Sequence, residues 1–154
     1  MSELTTGAKA PGFSLVAHDG KQYSLKDFTG KKIVLYFYPK DDTSVCTKEA
    51  CAFQDELSAI KKKGAVVLGI SPDPVLSHQK FSKKYDLTFP LLSNESKEIL
   101  AAYGVWQEKS MYGRKYMGVV RTTYIIDEKG KISHVFPKVR VKGHLKAVLE
   151  ALSE

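Results

Sequence analysis

The sequence predicts a single α/β domain over residues 1–154, with a central mixed sheet flanked by helices and a β-hairpin at the N-terminus. Three observations predict it. Two apolar strand patterns are separated by a helix-length segment, a second hairpin pattern lies near the C-terminus, and neither a linker nor an internal repeat interrupts the chain. A length of 154 residues suits one domain, which at this size buries about 70% of the surface that the unfolded chain exposes.

The first element is a hairpin, Phe13 to Ala17 and Lys21 to Leu25, turning at His18-Asp19-Gly20, with Gly30 closing the region. Ile33-Val34-Leu35-Tyr36-Phe37-Tyr38 is a continuous β-branched and aromatic run, as expected of a strand buried on both faces at the centre of a sheet. From Cys46 onward, Ala50, Phe53, Leu57 and Ile60 recur at helical spacing until Gly64 stops the helix. Ala65 to Ile70 is a second buried strand, which makes a βαβ unit and hence a parallel pair. Pro72 and Pro74 end it, and a helix follows over 75–85 with Val75, Leu76 and Phe81 on its inner side. Phe89 to Leu92 forms a short strand, and Ser93-Asn94 caps a helix from Glu95 to Tyr103. Arg121 to Ile126 and Lys131 to Phe136 form a second hairpin around Asp127-Glu128-Lys129-Gly130, and a last helix runs from about Gly143 to Leu152.

Composition narrows the function. The net charge of +7 raises nucleic acid or an anionic surface as partners. The lysines, however, are scattered in short groups, and arginine occurs only at Arg114, Arg121 and Arg140. Solvated lysine-rich faces are therefore the expectation, without nucleic acid as a partner. No apolar run is long enough to span a membrane. The stretch from Met1 to Thr6 has neither the pattern of a signal peptide nor that of a transit peptide, so a cytoplasmic setting is expected. There, two cysteines are read as reduced, redox-cycling or metal-binding rather than permanently bridged.

Those cysteines, Cys46 and Cys51, carry the chemistry. Cys46 lies just beyond the end of the central strand, where α/β sheets collect reactive groups. With Thr43 or Ser44 as cap it falls in the first helical turn, where unpaired N–H groups and the helix dipole favour a negative sulfur. The alternative is a small apolar residue heading the stripe of its helix. On one helix, positions 46 and 51 lie roughly 8 to 9 Å apart and point about 140° away from each other. A disulfide needs Cα atoms within about 7 Å, so any bridge between the two requires the helix to unwind. One cycle satisfies that geometry: Cys46 is oxidised, the helix end opens, and Cys51 condenses with the oxidised sulfur. A passive Cys51 is the other reading. His18, His78, His134 and His144 stand singly and match no zinc spacing, so no metal is expected. Asp41-Asp42 is read as support for the helix N-terminus. No phosphate loop or serine nucleophile elbow is present.

Pro39-x-x-x-Thr43-x-x-Cys46 resembles the active-site pattern of the peroxiredoxins. Tyr38-Pro39-Lys40-Asp41-Asp42-Thr43 with Cys46-Thr47-Lys48-Glu49-Ala50-Cys51 is similar to the peroxiredoxin Q, or bacterioferritin-comigratory, branch. So are Leu68 to Ser71, Tyr103 to Trp106, Tyr112 to Gly118 and Arg121 to Asp127, which extends the resemblance over nearly the whole chain. The resemblance implies a thioredoxin-like fold and thiol-dependent reduction of hydrogen peroxide and organic hydroperoxides, as an antioxidant enzyme. It makes Cys46 the peroxidatic nucleophile and Cys51 the resolving cysteine, joined in a transient disulfide. Thr43 and Arg121 become the groups holding peroxide and thiolate, Pro39 a shield of the pocket, and Glu49 a brace for the arginine. Thioredoxin or a glutaredoxin-like dithiol is the implied reductant. No cofactor is needed, and a monomer is the implied state, with a weak dimer as its alternative.

One departure from the branch is visible. Pro-Gly usually stands between the threonine and the cysteine, whereas this chain has Ser44-Val45. The backbone N–H groups survive the change; Ser44 adds a donor and Val45 adds bulk at the pocket. Two rivals make different predictions. A disulfide reductase or isomerase on the same fold would turn over disulfides and form no sulfenate at Cys46. A lysine-rich binding module would bind partners in a salt-sensitive way without needing either cysteine.

Overall fold

The structure is a computed structural model that describes residues 4–154. Part of the N-terminal stretch read above for targeting, residues 1–3, lies outside the described residues. In chain order the elements are β1 (Ser14–Val16), β2 (Gln22–Ser24), a 3-10 turn (Leu25–Phe28), β3 (Lys32–Phe37), α1 (Ser44–Asp55), α2 (Leu57–Lys62), β4 (Ala65–Ser71), α3 (Val75–Tyr85), β5 (Leu91–Ser93), α4 (Glu98–Ala102), β6 (Trp106–Met111), β7 (Arg114–Val119), β8 (Thr122–Ile126), β9 (Ile132–Phe136) and α5 (His144–Leu152). The five-stranded sheet has the order β5-β4-β3-β8-β9. Pairing is parallel for β3 with β4 and β4 with β5, and antiparallel for β3 with β8 and β8 with β9.

The continuous apolar run of β3 does what two-sided burial requires. Val34, Tyr36 and Tyr38 enter one core cluster with Cys46, Ala50, Phe53, Leu57 and Ile60 from α1 and α2, and with Val148 from α5. Ile33, Leu35 and Phe37 enter a second cluster with Leu100, Tyr103, Val105 and Tyr124. Tyr36 stacks on Phe53 at a centroid distance of 4.5 Å, which locks α1 over the central strand. Fully burying an aromatic of this kind stabilises by about 1.5–3 kcal/mol.

Three sequence expectations are corrected, and one ribbon had no counterpart in the sequence reading. The helix expected from Cys46 to Gly64 breaks at Glu56 into α1 and α2, although its apolar face is buried throughout. Leu76 is 60% exposed, and the inner side of α3 is formed instead by His78, Phe81 and Ser82. Asn94 does cap the next helix, but from further back: its Oδ1 accepts from the N–H groups of Ile99 and Leu100 (3.1 and 3.2 Å), so α4 starts at Glu98 rather than Glu95. The two-stranded ribbon β6-β7 was not expected. It turns at Tyr112-Gly113, both at positive φ (52° and 78°), the conformation of a type I′ hairpin.

Candidate active site

The topology sets the site. Strand β8 runs antiparallel to β3 and pairs Thr122 with Phe37, so the residue entering β8, Arg121, meets the chain leaving β3 at the same end of the sheet. The backbone carbonyl of Arg121 accepts from Val139 N–H at 2.9 Å, which anchors it there. After Phe37 the chain passes through 38–43 into α1, and Cys46 occupies the third helical position.

Cys46 is 1% exposed, and Arg121 Nη2 donates to its Sγ at 3.3 Å. Arg121 Nη1 donates to Glu49 Oε1 at 2.6 Å, and Glu49, one turn along α1, is wholly buried. One guanidinium thus spans a thiol and a carboxylate on the same helix face. Burial opposes the charge of Arg121, but Glu49 and Cys46 outweigh it and hold the guanidinium above its ordinary range. Burial pushes the Glu49 carboxyl up to about 7 against the pull of Arg121. Its Oε2, like the hydroxyl of Tyr36, is buried without a hydrogen-bond partner among the described residues.

The sign of that shift gives a prediction. A carboxyl that keeps its proton in the native state to about pH 7, against an ordinary 4.5, destabilises the fold progressively as pH rises through that interval. The shift corresponds to about 3 kcal/mol. Glu49→Gln should therefore gain stability relative to the parent chain as pH rises from 4.5 to 8, read as a growing Tm difference; a difference that is flat with pH would contradict the assignment.

The first bond of the helix ladder runs from Thr47 N–H to Thr43 O at 2.8 Å, so the N–H groups of Ser44, Val45 and Cys46 precede the ladder. Neither Thr43 nor Ser44 caps them with a side chain, contrary to expectation. The Thr43 hydroxyl turns back to the carbonyl of Lys40 at 2.8 Å, closing a loop in which Asp42 is left-handed at φ 56°. The helix end two residues before Cys46 is thus left without a side-chain cap. Asp41 and Asp42 do not support this terminus either: Asp42 bonds to Lys84 and Tyr85 on α3, and Asp41 is buried among Tyr38, Ser77 and His78. Pro39 is half-buried where the chain leaves β3, whereas Val45 is 48% exposed, so its bulk faces solvent.

Cys51 is half-buried on the same helix, and both thiols are free. Burial, and then the Asp55 carboxylate one turn away, push its thiol above the ordinary value. Sequence reasoning missed Lys109, which reaches in from β6. A Cβ at Gly118 would come within 3.2 Å of its Cδ, so the glycine makes room for the lysine stem. Burial and then Arg121 lower the Lys109 ammonium, while Cys46 pulls it the other way, which puts a second cation within electrostatic reach of the thiol. Only its position opposite Tyr116 in a ribbon the sequence did not announce could have revealed it.

The AhpC/TSA family model matches residues 6–135. Peroxiredoxin Bcp of Escherichia coli is 43% identical over 154 residues, covering 100% of this chain and 99% of that protein. A bcp protein of Coxiella burnetii is 52% identical over 149 residues, 97% of this chain and 99% of its own. A solved structure of the Xanthomonas campestris bacterioferritin comigratory protein, described for its alkyl peroxide reduction activity and trapped intermediate and ligand complexes, superposes with a TM-score of 0.88 at 39% identity, covering 92% of this chain and 90% of that one.

Proposed function

This chain belongs to the AhpC/TSA family, as a thiol peroxidase of the Bcp/PrxQ peroxiredoxins with a thioredoxin-like fold, and we propose that Cys46 is its peroxidatic thiol and Cys51 its resolving thiol. The observation that carries the reading is Arg121 Nη2 on Cys46 Sγ at 3.3 Å, beside an uncapped helix N-terminus. The Cys46 thiolate attacks the terminal oxygen of the peroxide, the O–O bond breaks, and the leaving oxygen takes a proton to become water or an alcohol. The N–H groups of the first turn, with Arg121, stabilise the charge passing between sulfur and oxygen. Glu49 keeps the guanidinium in line, Pro39 shields the site, and Thr43 offers its hydroxyl oxygen to the peroxide.

The resulting Cys46 sulfenic acid condenses with the Cys51 thiol, releasing water. The folded helix forbids this step twice over. It points the two side chains apart, and it keeps Cys51 half-buried and beside Asp55, where its thiol is harder to ionise. Unwinding removes both obstacles together. An external dithiol of the thioredoxin or glutaredoxin type then reduces the disulfide by exchange. Alkyl hydroperoxides are proposed as substrates beside hydrogen peroxide, on the likeness to the Xanthomonas protein. No helix among the described residues is long and apolar enough to cross a membrane, and we place the enzyme in the cytoplasm as a monomer.

Cys51→Ser tests the division of labour. One equivalent of peroxide should still be consumed per chain, Cys46 should accumulate as sulfenic and then sulfinic acid by mass spectrometry, and turnover with a thioredoxin system should cease. Undiminished thioredoxin-dependent turnover would remove Cys51 from the cycle.

A further inference from the structure

We propose that the Asp41–His78 pair is the fixed end of the active-site loop: it holds residues 39–43 in place beneath the first turn of α1, and so sets the rate of the peroxide step. The inference rests on the reading of Cys46 as the reacting thiol. Asp41 and His78 are both buried, with side-chain exposures of 3% and 0%. Asp41 Oδ1 accepts from Tyr38 Oη at 2.6 Å, and Oδ2 accepts from Ser77 Oγ at 2.8 Å and from His78 Nδ1 at 2.7 Å. The Asp41 N–H donates to Asp73 Oδ2 at 2.8 Å, which Ser71 Oγ also reaches at 2.6 Å. His78 Nε2 donates to the Leu92 carbonyl at 3.0 Å. Both ring nitrogens are therefore engaged, Nδ1 by the Asp41 carboxyl and Nε2 by the Leu92 carbonyl.

A buried hydrogen-bonded pair of this kind stabilises a fold little more than apolar residues of the same volume would, so packing alone does not account for it. Its connections do. Through one side chain and one N–H, residue 41 is tied to Tyr38 just past β3, to the turn after β4, to α3 and, through His78, to β5. The next residue, Asp42, bonds to Lys84 Nζ and Tyr85 Oη on α3 (2.8 and 2.9 Å). Beyond Cys46, Ala50 and Phe53 are fully buried in the core. The stretch between, which holds Thr43, the free N–H groups and Cys46, is thus suspended between two fixed points. The fixed point at residue 41 keeps the donors aligned for peroxide. Single ligand atoms of Asp41, Asp73 and His78 lie within 4.8 Å of one another, but protein partners engage both oxygens of Asp41 and both nitrogens of His78, so the cluster is a clamp rather than a cation site.

Two substitutions at one position separate the clamp from mere packing. The amide nitrogen of asparagine stands where Nδ1 stands and can still hold Asp41, whereas that of glutamine reaches the Leu92 carbonyl and releases Asp41. Sulfenate formation at Cys46 is measured by rapid quench and trapping, in a Cys51→Ser background that isolates the first step. His78→Asn should stay within about threefold of the parent, and His78→Gln should slow the step about tenfold or more, as misplaced catalytic groups do. Disulfide closure in the Cys51-containing chain should be unchanged or faster in His78→Gln. If His78→Gln does not fold, Ser77→Ala, which removes one donor to Asp41, should slow sulfenate formation about two- to threefold with closure unaffected. Equal effects of the asparagine and glutamine variants, or no effect of Ser77→Ala, would overturn the clamp. Absence of any sulfenate at Cys46 in the parent would overturn the reading of Cys46 itself, and the clamp with it.

Discussion

Peroxide turnover should fall by about 10,000-fold or more in Cys46→Ser, with the fold intact. Serine is close in size to cysteine, and at this nearly closed position its hydroxyl can accept the bond that Arg121 Nη2 now gives to sulfur. The change therefore removes the proposed nucleophile without opening a cavity. A serine hydroxyl has no neighbouring base here to activate it: the carboxylate nearest on the helix face, Glu49, is occupied by Arg121 at 2.6 Å. Tm should stay within a few degrees of the parent, which separates loss of chemistry from loss of structure. Retention of full peroxidase activity would refute the assignment.

Arg121→Met is expected to fail in two ways at once. Removing a charged donor that serves the transition state costs about 100- to 1,000-fold in rate. Removing Arg121 also lowers stability, because the buried Glu49 carboxyl loses its hydrogen-bond partner and is pushed still further towards its protonated form. The two effects can be pulled apart. Adding Glu49→Gln to Arg121→Met should recover stability increasingly as pH rises, since no ionisable group is left buried there, and none of the rate, since the sulfur still lacks its donor. Denaturant unfolding and peroxide kinetics on the same three proteins provide the check. Recovery of rate with stability would mean that Arg121 acts only as scaffolding.

The parts of this molecule that the sequence discloses are those where one physical signal dominates. Strand β3 carries the apolar run Ile33 to Phe37, Ala50, Phe53, Leu57 and Ile60 form an apolar stripe along α1 and α2, and the hairpin β8-β9 has a turn sequence between two strand-forming runs. The ribbon β6-β7 has no such signal: most of its side chains lack a core to face, and Met111, Tyr112 and Met117 are well exposed, so period-two alternation is absent. Within the site, the cysteines are legible from position and spacing. The burial of Glu49 is not, because a carboxylate on an apolar stripe reads as a defect until Arg121, 72 positions away, is brought to it. Asp41 misleads for the same reason. Next to a helix start it reads as a charge on the dipole, and only the fold places His78, 37 positions on, against it. Thr43 shows the limit of local rules, since a residue well suited to capping gives its hydroxyl to Lys40 instead.

In the proposed cycle Cys46 reacts with α1 folded, and Cys51 answers only when the start of that helix unwinds. Hydrogen exchange at the α1 amides from Thr47 to Phe53 tests it directly, compared among the reduced protein, the Cys51→Ser sulfenate and the Cys46–Cys51 disulfide. Protection should persist in the first two states and be lost over the first turns in the third. A disulfide form in which those amides remain as protected as in the reduced protein would contradict it.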